Sequence, residues 1–509
     1  MTFNSVSFFA FFPLAVLVCW LVPRRWQNAA LLAVSYAFYC FNTPAWLPVL
    51  VLDSLATWAL VRRMDAAEGL SRKRRLWAAL GVNLGLLVLL KGASLLLHGA
   101  AVSAGLWQAL SRLGLASEAG GSAFSVILPL GISFFTVQSV GYAVDVYRKK
   151  YAAEPSACNF ALFVSFFPLI SSVPIMRGDK LLPQLRAPRA LRTDRAAHAL
   201  VTFALGLFSK VAVADLLAVF ANAVYGDVTA YTGLTLTFGA LCYGLQLYFD
   251  FSGYSLMALG AAELLGLQLT TNFDTPYFSR SIREFWGRWH ISFSSWLKDY
   301  VYIPLGGNRK GKARKYLNLL LTFLVSGVWH GVGLTYLIWG ALHGVYQIAG
   351  DATDRLRGRV YAALHVSRTG RLACAWQCLC TFALVNAAWV FFRAASVHDA
   401  LYVLTAQFRN VSLTGLLADI RAIAASFNAK SLLSAAFLAF VLLALAGGVL
   451  LDCARRFKAP GGDLSARMLS LPLIFRWLLY YALAAFIFAG FLMNNGYFAT
   501  AANFLYNNF

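Results

Sequence analysis

The chain has 509 residues, of which 60% are hydrophobic and 13% are charged, and its mean hydropathy is +0.65. This composition excludes an ordinary soluble enzyme of several domains and is typical of an integral membrane protein. The formal net charge is +22, since the chain has 43 Lys and Arg against 21 Asp and Glu. These basic residues lie in short loops between apolar runs, so they indicate membrane topology and contact with anionic membrane lipid. No nucleic-acid partner is predicted.

Apolar runs in the first part of the chain predict membrane-spanning helices. The first run, 6–22, has no basic region before it and no small-residue cleavage site after it, so we interpret it as a retained span. Further spans are predicted near residues 28–41, 46–61, 76–97 and 124–146. The loop at 62–75 is rich in arginine, whereas the loop at 98–122 is nearly uncharged. This asymmetry places the first loop in the cytoplasm and the second outside.

Residues 160–176 are predicted to enter and leave the membrane on the same side. Pro168 and Pro174 interrupt helical hydrogen bonding in this segment, and the basic residues on both sides of it belong in the cytoplasm. Non-helical backbone is tolerated at membrane depth where protein covers it. The segment is therefore predicted to be re-entrant.

The next apolar runs carry charged residues. Runs at 200–224 and 231–249 are predicted to cross out and back, and residues 254–267 to form a further buried helix. Lys210 and Asp215 lie within the first of these runs. On an ideal α-helix, residues five apart lie roughly 140° apart around the axis, so these two are predicted not to pair. Each is expected to reach the interface or to bond another helix.

Aromatic residues recur at intervals of three and four between positions 286 and 300. They are Trp286, Trp289, Phe293, Trp296 and Tyr300. This spacing predicts one helix that lies at the membrane boundary, where tryptophan favours the headgroup level. Such a stripe is more typical of a membrane anchor than of a binding site. His290 lies on its apolar side, where it could be a packing residue, an orienting group or a proton relay.

The last part of the chain continues the alternation of apolar runs and basic loops. A basic loop near 355–371 is predicted in the cytoplasm, and a polar stretch at 396–431 outside. Spans are predicted at 372–392, 432–451 and 474–492. In total we count about ten crossings, which leaves both termini in the periplasm. No long linker or fixed-period repeat interrupts the chain, so one membrane domain over 1–509 is predicted.

Rare polar residues stand among apolar ones between positions 248 and 344. They are Asp250, His290, His330 and His343. An ionisable group at membrane depth is costly, so its default interpretation is functional. His330 lies between two apolar runs, and the adjacent Gly331 would let a substrate approach the ring. A buried histidine that only hydrogen-bonds a neighbouring helix fits this pattern equally well.

The segments WHIS, PLGGN and WHG, in that order, resemble the membrane-bound O-acyltransferase (MBOAT) family and its bacterial alginate O-acetyltransferase-like branch. The resemblance covers almost the whole chain and is densest over residues 166–344. It implies an all-α polytopic fold of roughly ten transmembrane helices, with re-entrant and interfacial helices around a central cavity. It also implies acyl transfer to a hydroxyl, with His330 as the catalytic histidine and His290 at the second catalytic position.

The resemblance predicts an enzyme of the bacterial inner membrane that moves an acetyl group from cytoplasmic acetyl-CoA. The acceptor would be an extracytoplasmic polysaccharide, and alginate, cellulose and peptidoglycan-type polymers all stay open. Attack by a hydroxyl requires a group that removes its proton, a task suited to His330. Substrate binding is predicted at Asn308, Trp329, Arg309 and Lys310. Acetyl-CoA is the donor substrate, and neither a bound cofactor nor a metal is expected.

The resemblance to the bacterial branch implies partners, since a separate protein typically serves the acceptor side there, and this chain shows no SGNH-like serine motif of its own. A periplasmic or membrane-anchored acetyltransferase and polysaccharide export machinery are therefore implied. Two other function classes stay open. One is a proton-coupled transporter, although the chain shows no inverted repeat of interrupted helices. The other is a non-catalytic scaffold of an export complex.

Overall fold

The computed structural model describes residues 1–97, 111, 114, 116–119, 123–126, 128–170, 174–190, 192–331, 333–427, 431–457 and 463–493. Helices make up most of this part of the chain. The strands within it, Ala116–Ala119 and Ala123–Val126, pair as one antiparallel hairpin. The predicted all-α membrane fold is confirmed, with this short hairpin as an addition.

Packing divides the chain into two compact units. The first comprises residues 1–200 and 258–270, and the second comprises residues 201–257 and 271–509. The single domain over 1–509 stays a prediction.

The first part of the chain contains both long and short helices. They are Val6–Leu21, Gln27–Asn42, Leu47–Asp65, Gly69–Leu97, Ile132–Tyr147, Ala157–Ser165, Phe167–Ile170 and Gly178–Arg186, with 3₁₀ turns at Arg24–Trp26 and Pro44–Trp46. The span predicted at 124–146 starts later than expected, because residues 123–126 belong to the hairpin. Two short buried helices occupy most of the segment predicted to be re-entrant. Residues 171–173 of that segment lie outside the described residues, and its sidedness stays a prediction.

The second part begins with Thr193–Leu207 and ends with Leu473–Met493. Its other elements are the π-helix Phe208–Ala214, Asp215–Gly226, the 3₁₀ turn Val228–Ala230, Leu234–Leu264, the 3₁₀ turn Pro276–Phe278, Ile282–Arg288, Ile291–Leu297, the π-helix Lys298–Tyr302, Gly311–His330, Leu334–Ala352, Asp354–Ala363, Arg371–Arg393, Val397–Ala406, Leu413–Phe427, Ser431–Phe457 and Leu464–Leu469.

Several of these helices have the length and apolar character of membrane spans. Within the described residues six qualify: Pro44–Asp65, Gly69–Ser94, Thr193–Gly226, Arg371–Arg393, Ala435–Phe457 and Leu473–Met493. Val6–Leu21 is a shorter apolar helix. The protein is thus a multi-pass membrane protein, and the total of about ten crossings stays a prediction.

One helix replaces two that were predicted separately. Residues 231–249 and 254–267 were expected as distinct elements, yet Leu234–Leu264 is a single helix of 31 residues. Gly253, near its middle, serves close packing, because a Cβ at Gly253 would lie 2.7 Å from the carbonyl oxygen of Gly206. We call Leu234–Leu264 the long helix.

The prediction that Lys210 and Asp215 do not pair is wrong. Lys210 Nζ lies 2.7 Å from Asp215 Oδ1 and 2.7 Å from Asp250 Oδ1. The cause is the π-helix Phe208–Ala214, in which the Asp215 backbone N–H bonds the Lys210 carbonyl oxygen. A π-helix adds one residue to each turn, so residues five apart come to lie on nearly the same face. We call Lys210, Asp215 and Asp250 the ion cluster.

Candidate active site

His330 is the last residue of the helix Gly311–His330, which pairs with Leu334–Ala352 in the second unit. We call these two helices the histidine hairpin. Glycines let their backbones approach closely: a Cβ at Gly340 would lie 2.3 Å from the carbonyl oxygen of Phe323, and a Cβ at Gly327 would lie 2.4 Å from that of Tyr336. The hairpin therefore holds His330 in a fixed place.

Aromatic rings surround His330, whose exposed fraction is 2%. Its ring centroid lies 5.1 Å from that of Trp339, 5.2 Å from Phe392 and 5.7 Å from Phe293. Each of these rings meets the imidazole edge-on. The histidine thus lies in an apolar setting where electrostatic interactions are stronger than in water.

His290 lies at a break between the helices Ile282–Arg288 and Ile291–Leu297. Its backbone is left-handed, with φ 45° and ψ 52°, so the predicted single helix over the aromatic stripe is interrupted here. The tryptophans of the stripe are buried at 8% exposure or less, so they form packing for the site and not a lipid-facing anchor. His290 is buried as well, and its ring lies 4.9 Å from that of Phe251 on the long helix.

The structure brings the two predicted catalytic histidines to one cluster. The Phe293 ring lies 5.1 Å from His290 and 5.7 Å from His330. Trp329 also contacts both, at 6.4 Å from His290 and 4.7 Å from His330. Trp329, predicted to bind substrate, therefore belongs to this cluster, while the catalytic roles of the histidines stay predictions.

His343 extends this cluster along the histidine hairpin. The Trp339 ring lies 5.1 Å from His330 and 5.1 Å from His343. The indole N–H of Trp286 donates to His343 Nδ1 over 3.2 Å. Because an indole nitrogen is only a donor, His343 Nδ1 is the acceptor and the proton of the neutral ring is on Nε2. We call His290, His330, His343 and the rings between them the histidine cluster.

The other predicted substrate-binding residues lie on an exposed loop. Asn308, Arg309 and Lys310 are exposed there, and Asn308 Oδ1 accepts a hydrogen bond from the Tyr302 hydroxyl. The loop is tied to the hairpin, since the Asn318 side chain donates to the Gly307 carbonyl oxygen over 3.0 Å. Substrate binding by these three residues stays a prediction.

A cavity of about 960 Å³ opens beside the cytoplasmic end predicted for the histidine hairpin. We call it the basic cavity. Its basic lining residues are Arg280, Arg283, Lys312, Lys315, Arg355, Arg357 and Arg368, and its acidic ones are Glu284, Asp351 and Asp354.

Ion pairs shape the wall of the basic cavity. Asp351 accepts from Lys315 Nζ at 2.7 Å and lies 3.3 Å from Arg283 Nη2. The hydrogen bond from Lys315 lowers the pKa of Asp351 below its ordinary value. Basic residues still outnumber acidic ones in the lining, so the cavity suits an anionic ligand.

Sequence reasoning did not find Asn272 or Trp339 as members of this site. Asn272 contacts His290 across 18 positions of the chain, a contact that depends on the left-handed turn at His290. Trp339 stands in the same short segment as His343, which was the available signal for it.

Comparison with known proteins identifies the family. A model of the MBOAT, membrane-bound O-acyltransferase, family matches residues 148–397. The chain is 37% identical over 414 residues to the Probable alginate O-acetylase AlgI of Pseudomonas putida, covering 80% of each protein. The chain belongs to the membrane-bound O-acyltransferase family. It is therefore a membrane O-acyltransferase, an enzyme that acts on an acyl donor and an acceptor.

Other relatives within this family differ in their named acceptors. The Peptidoglycan O-acetyltransferase of Helicobacter pylori is 34% identical over 436 residues, covering 79% of each protein. The Teichoic acid D-alanyltransferase of Streptococcus thermophilus is 30% identical over 236 residues, or 44% of this chain and 57% of that protein. The matched region of the family model contains His290, His330 and His343, as well as all the lining residues of the basic cavity.

Proposed function

We propose that this O-acyltransferase takes an acetyl group from cytoplasmic acetyl-CoA and moves it across the bacterial inner membrane for O-acetylation of an extracytoplasmic polysaccharide. The observation that carries the proposal is the position of the histidine cluster, which reaches from His330 to the edge of the basic cavity. The names of the relatives support the acetyl group and a cell-surface polymer as acceptor.

In the proposed reaction a hydroxyl oxygen attacks the carbonyl carbon of the acetyl thioester. His330 accepts the hydroxyl proton as the new C–O bond forms. The C–S bond then breaks, the proton passes to the sulfur, and coenzyme A leaves as the thiol. The aromatic rings around His330 keep water from competing as a nucleophile.

The basic cavity is the proposed entrance for the donor. Tyr346 lines the cavity, and its ring lies 6.1 Å from that of His343. Trp339 links His343 to His330 at 5.1 Å on each side. Acetyl-CoA carries phosphates at the end opposite to its thioester, so basic residues at the mouth and a histidine at depth match the two ends of the molecule.

The exposed loop adds a second basic surface for the donor. Arg309 and Lys310 are proposed to attract the donor phosphates, with Asn308 beside them. Trp329 is proposed to contact the acetyl end, since its ring packs on both histidines.

The acceptor side is proposed to need a second protein. A periplasmic or membrane-anchored acetyltransferase would receive the acetyl group and complete the transfer, in company with polysaccharide export machinery. Residues 396–431, which include the helices Val397–Ala406 and Leu413–Phe427, are the proposed docking region. Both termini are also proposed to lie in the periplasm, since an even number of crossings is predicted.

Reconstitution in lipid vesicles tests this proposal. Acetyl-CoA is confined to the cytoplasmic face. Transfer of the acetyl group to polymer on the other face is then measured with and without the partner. We expect acetyl-CoA consumption that depends on His330, and polymer acetylation only when the partner is present. Consumption that continues unchanged in His330→Ala would contradict the enzyme assignment of this site, whereas efficient acetylation without a partner would contradict only the transfer through a second protein.

A further inference from the structure

Asn272 forms a hydrogen bond with the ring of His290, the second predicted catalytic histidine of the cluster. The Asn272 side chain is buried at 1% exposure. Asn272 Oδ1 lies 3.3 Å from His290 Nδ1, 3.1 Å from the Ser292 backbone nitrogen and 2.8 Å from Ser292 Oγ. One amide oxygen therefore contacts three polar groups at the turn that carries His290.

The orientation of the Asn272 amide follows from chemistry. A backbone N–H can only donate, so the Asn272 atom that faces the Ser292 nitrogen must be the oxygen. If the amide were rotated by 180°, the Asn272 NH₂ group would face that N–H, and the two donors would repel each other. Oδ1 is thus assigned as the acceptor for all three neighbours.

This assignment determines the tautomer of His290. Because Asn272 Oδ1 is an acceptor, His290 Nδ1 must carry the hydrogen that points to it. In the neutral ring Nε2 then has a lone pair and no hydrogen. His343 has the opposite arrangement, since the Trp286 indole donates to its Nδ1.

The backbone around His290 reinforces the same arrangement. The Ile291 N–H donates to the Asn272 carbonyl oxygen over 2.9 Å, and the Asp274 N–H donates to the Arg288 carbonyl oxygen over 3.0 Å. These bonds join the segment after the long helix to both sides of the left-handed turn. Asn272 and His290 are therefore held in one rigid unit.

We propose that Asn272 is a positioning residue that holds His290 in the Nδ1–H form, so that Nε2 accepts a hydrogen bond from a second O–H or N–H group of the acceptor while the attacking hydroxyl gives its proton to His330. His290 then orients the nucleophile and does not donate a hydrogen bond to the oxyanion. The inference rests on the proposed function for its catalytic meaning, while the tautomer itself can be measured without turnover.

The first experiment reads the tautomer directly. Full-length protein with ¹⁵N-labelled histidine is placed in lipid bilayers for solid-state NMR, which is practical because the chain has only 7 histidines. The His290 signals are assigned by their loss in His290→Ala. We expect a protonated Nδ1 for His290 and a protonated Nε2 for His343, which serves as the matched internal control. A protonated Nε2 on neutral His290 would overturn the inference, whether or not the protein shows turnover.

The second experiment tests the coupling of the two residues through activity. Asn272→Ala is expected to lower kcat about tenfold to hundredfold, as expected for a misplaced reactive group. In a His290→Ala background the same change should have no further effect. An equal loss in both backgrounds would mean that Asn272 acts on folding or on another group, and would overturn the positioning role.

A conservative variant separates positioning from packing. Asn272→Asp keeps an acceptor oxygen but adds a negative charge that stabilises the protonated imidazole, so the acid limb of the kcat profile should move to higher pH. Within the described residues, His330 shares Trp329 and Phe293 with His290. Arg288, two positions before His290, forms ion pairs with Glu284 and Asp274. An active Asn272→Asp enzyme with an unchanged acid limb would contradict the inference.

The proposed function and the role of Asn272 can be contradicted separately. Absence of acetyl-CoA turnover in the unaltered protein would contradict the proposed function and leave the tautomer measurement intact. Normal turnover together with the wrong tautomer would contradict only the role assigned to Asn272.

Discussion

The ion cluster and the histidine cluster are two buried polar regions of the same unit, and they handle polarity in opposite ways. In the ion cluster every charge faces an opposite charge, with Lys210 Nζ at 2.7 Å from both Asp215 and Asp250. In the histidine cluster the polar rings face mainly aromatic side chains, and His343 Nε2 has no hydrogen-bond partner in the described part of the chain. The first arrangement suits a structural role, whereas the second places imidazole rings in the aromatic surroundings proposed for the reaction.

The two clusters share the long helix. Asp250 belongs to the ion cluster, and the next residue, Phe251, packs on the His290 ring. A substitution in either cluster can therefore affect the other, so both turnover and stability should be measured for each variant. We expect histidine variants to alter mainly turnover and ion-cluster variants to alter mainly stability.

The largest effect is expected for His330→Ala. Loss of the group that accepts the hydroxyl proton should lower turnover by about 10²–10⁴. The protein should still fold and insert, with a loss of stability limited to the cavity left by the buried imidazole. Turnover is measured with acetyl-CoA in detergent, and thermal unfolding is followed on the same sample. Turnover at the unaltered level would show that His330 is not the proton acceptor.

The next effect is expected for Lys210→Met. This change leaves the carboxyl groups of Asp215 and Asp250 together without their cation, and breaking a buried pair in this way costs about 3–5 kcal/mol. We expect a lower unfolding temperature and a smaller yield of inserted protein. The matched control is the triple variant Lys210→Met, Asp215→Asn and Asp250→Asn, which removes all three charges and should recover most of the stability. Unchanged stability in the single variant would contradict the structural role of the cluster.

A smaller effect on turnover is expected for His290→Ala. Its proposed role is to orient the hydroxyl, and misplacement of a reacting group lowers the rate by about 10²-fold or less. The loss should fall below that of His330→Ala and appear in kcat. Equal losses in the two single variants and in the double variant would instead show that the histidines act as one coupled unit.

The smallest effect is expected for charges on the exposed loop and for Lys312, in the first turn of the helix that follows it. Neutralising Arg309, Lys310 and Lys312 together should weaken the apparent affinity for acetyl-CoA by a few fold, since an exposed ion pair contributes about 0.2–1 kcal/mol. The effect should fade as salt is added, because the screening length is about 8 Å at physiological ionic strength.

The contribution of Lys312 to donor affinity can be separated from those of Arg309 and Lys310. Lys312 lines the basic cavity, whereas Arg309 and Lys310 are not among the described lining residues. We expect Lys312→Gln to account for more of the lost affinity than the pair Arg309→Gln and Lys310→Gln. Unchanged affinity in the triple variant at low salt would assign these residues to membrane topology only.

The sequence predicted the membrane class and the family, because these depend on composition and on short motifs. It also singled out His290 and His330, which the structure places in one cluster through Phe293 and Trp329. It did not predict the Lys210–Asp215 pair, because the estimate of 140° assumed an ideal α-helix and a π-helix formed instead. It also did not predict the break in the aromatic stripe, because nothing in the periodicity of those residues marks a left-handed turn at His290. Asn272 was missed for the same reason, since its contact with His290 exists only through that turn.

The left-handed backbone of His290 costs the protein stability, whereas the His290 ring is proposed to be needed for turnover. A residue with a Cβ is disfavoured in this conformation by about 1–2 kcal/mol, whereas glycine adopts it readily and asparagine tolerates it. Glycine or asparagine at position 290 would relieve this strain, but it would also remove the buried imidazole ring, so a cavity would offset the gain and the enzyme would be slower. A programme that seeks a heat-resistant catalyst has to keep His290 and gain its stability elsewhere.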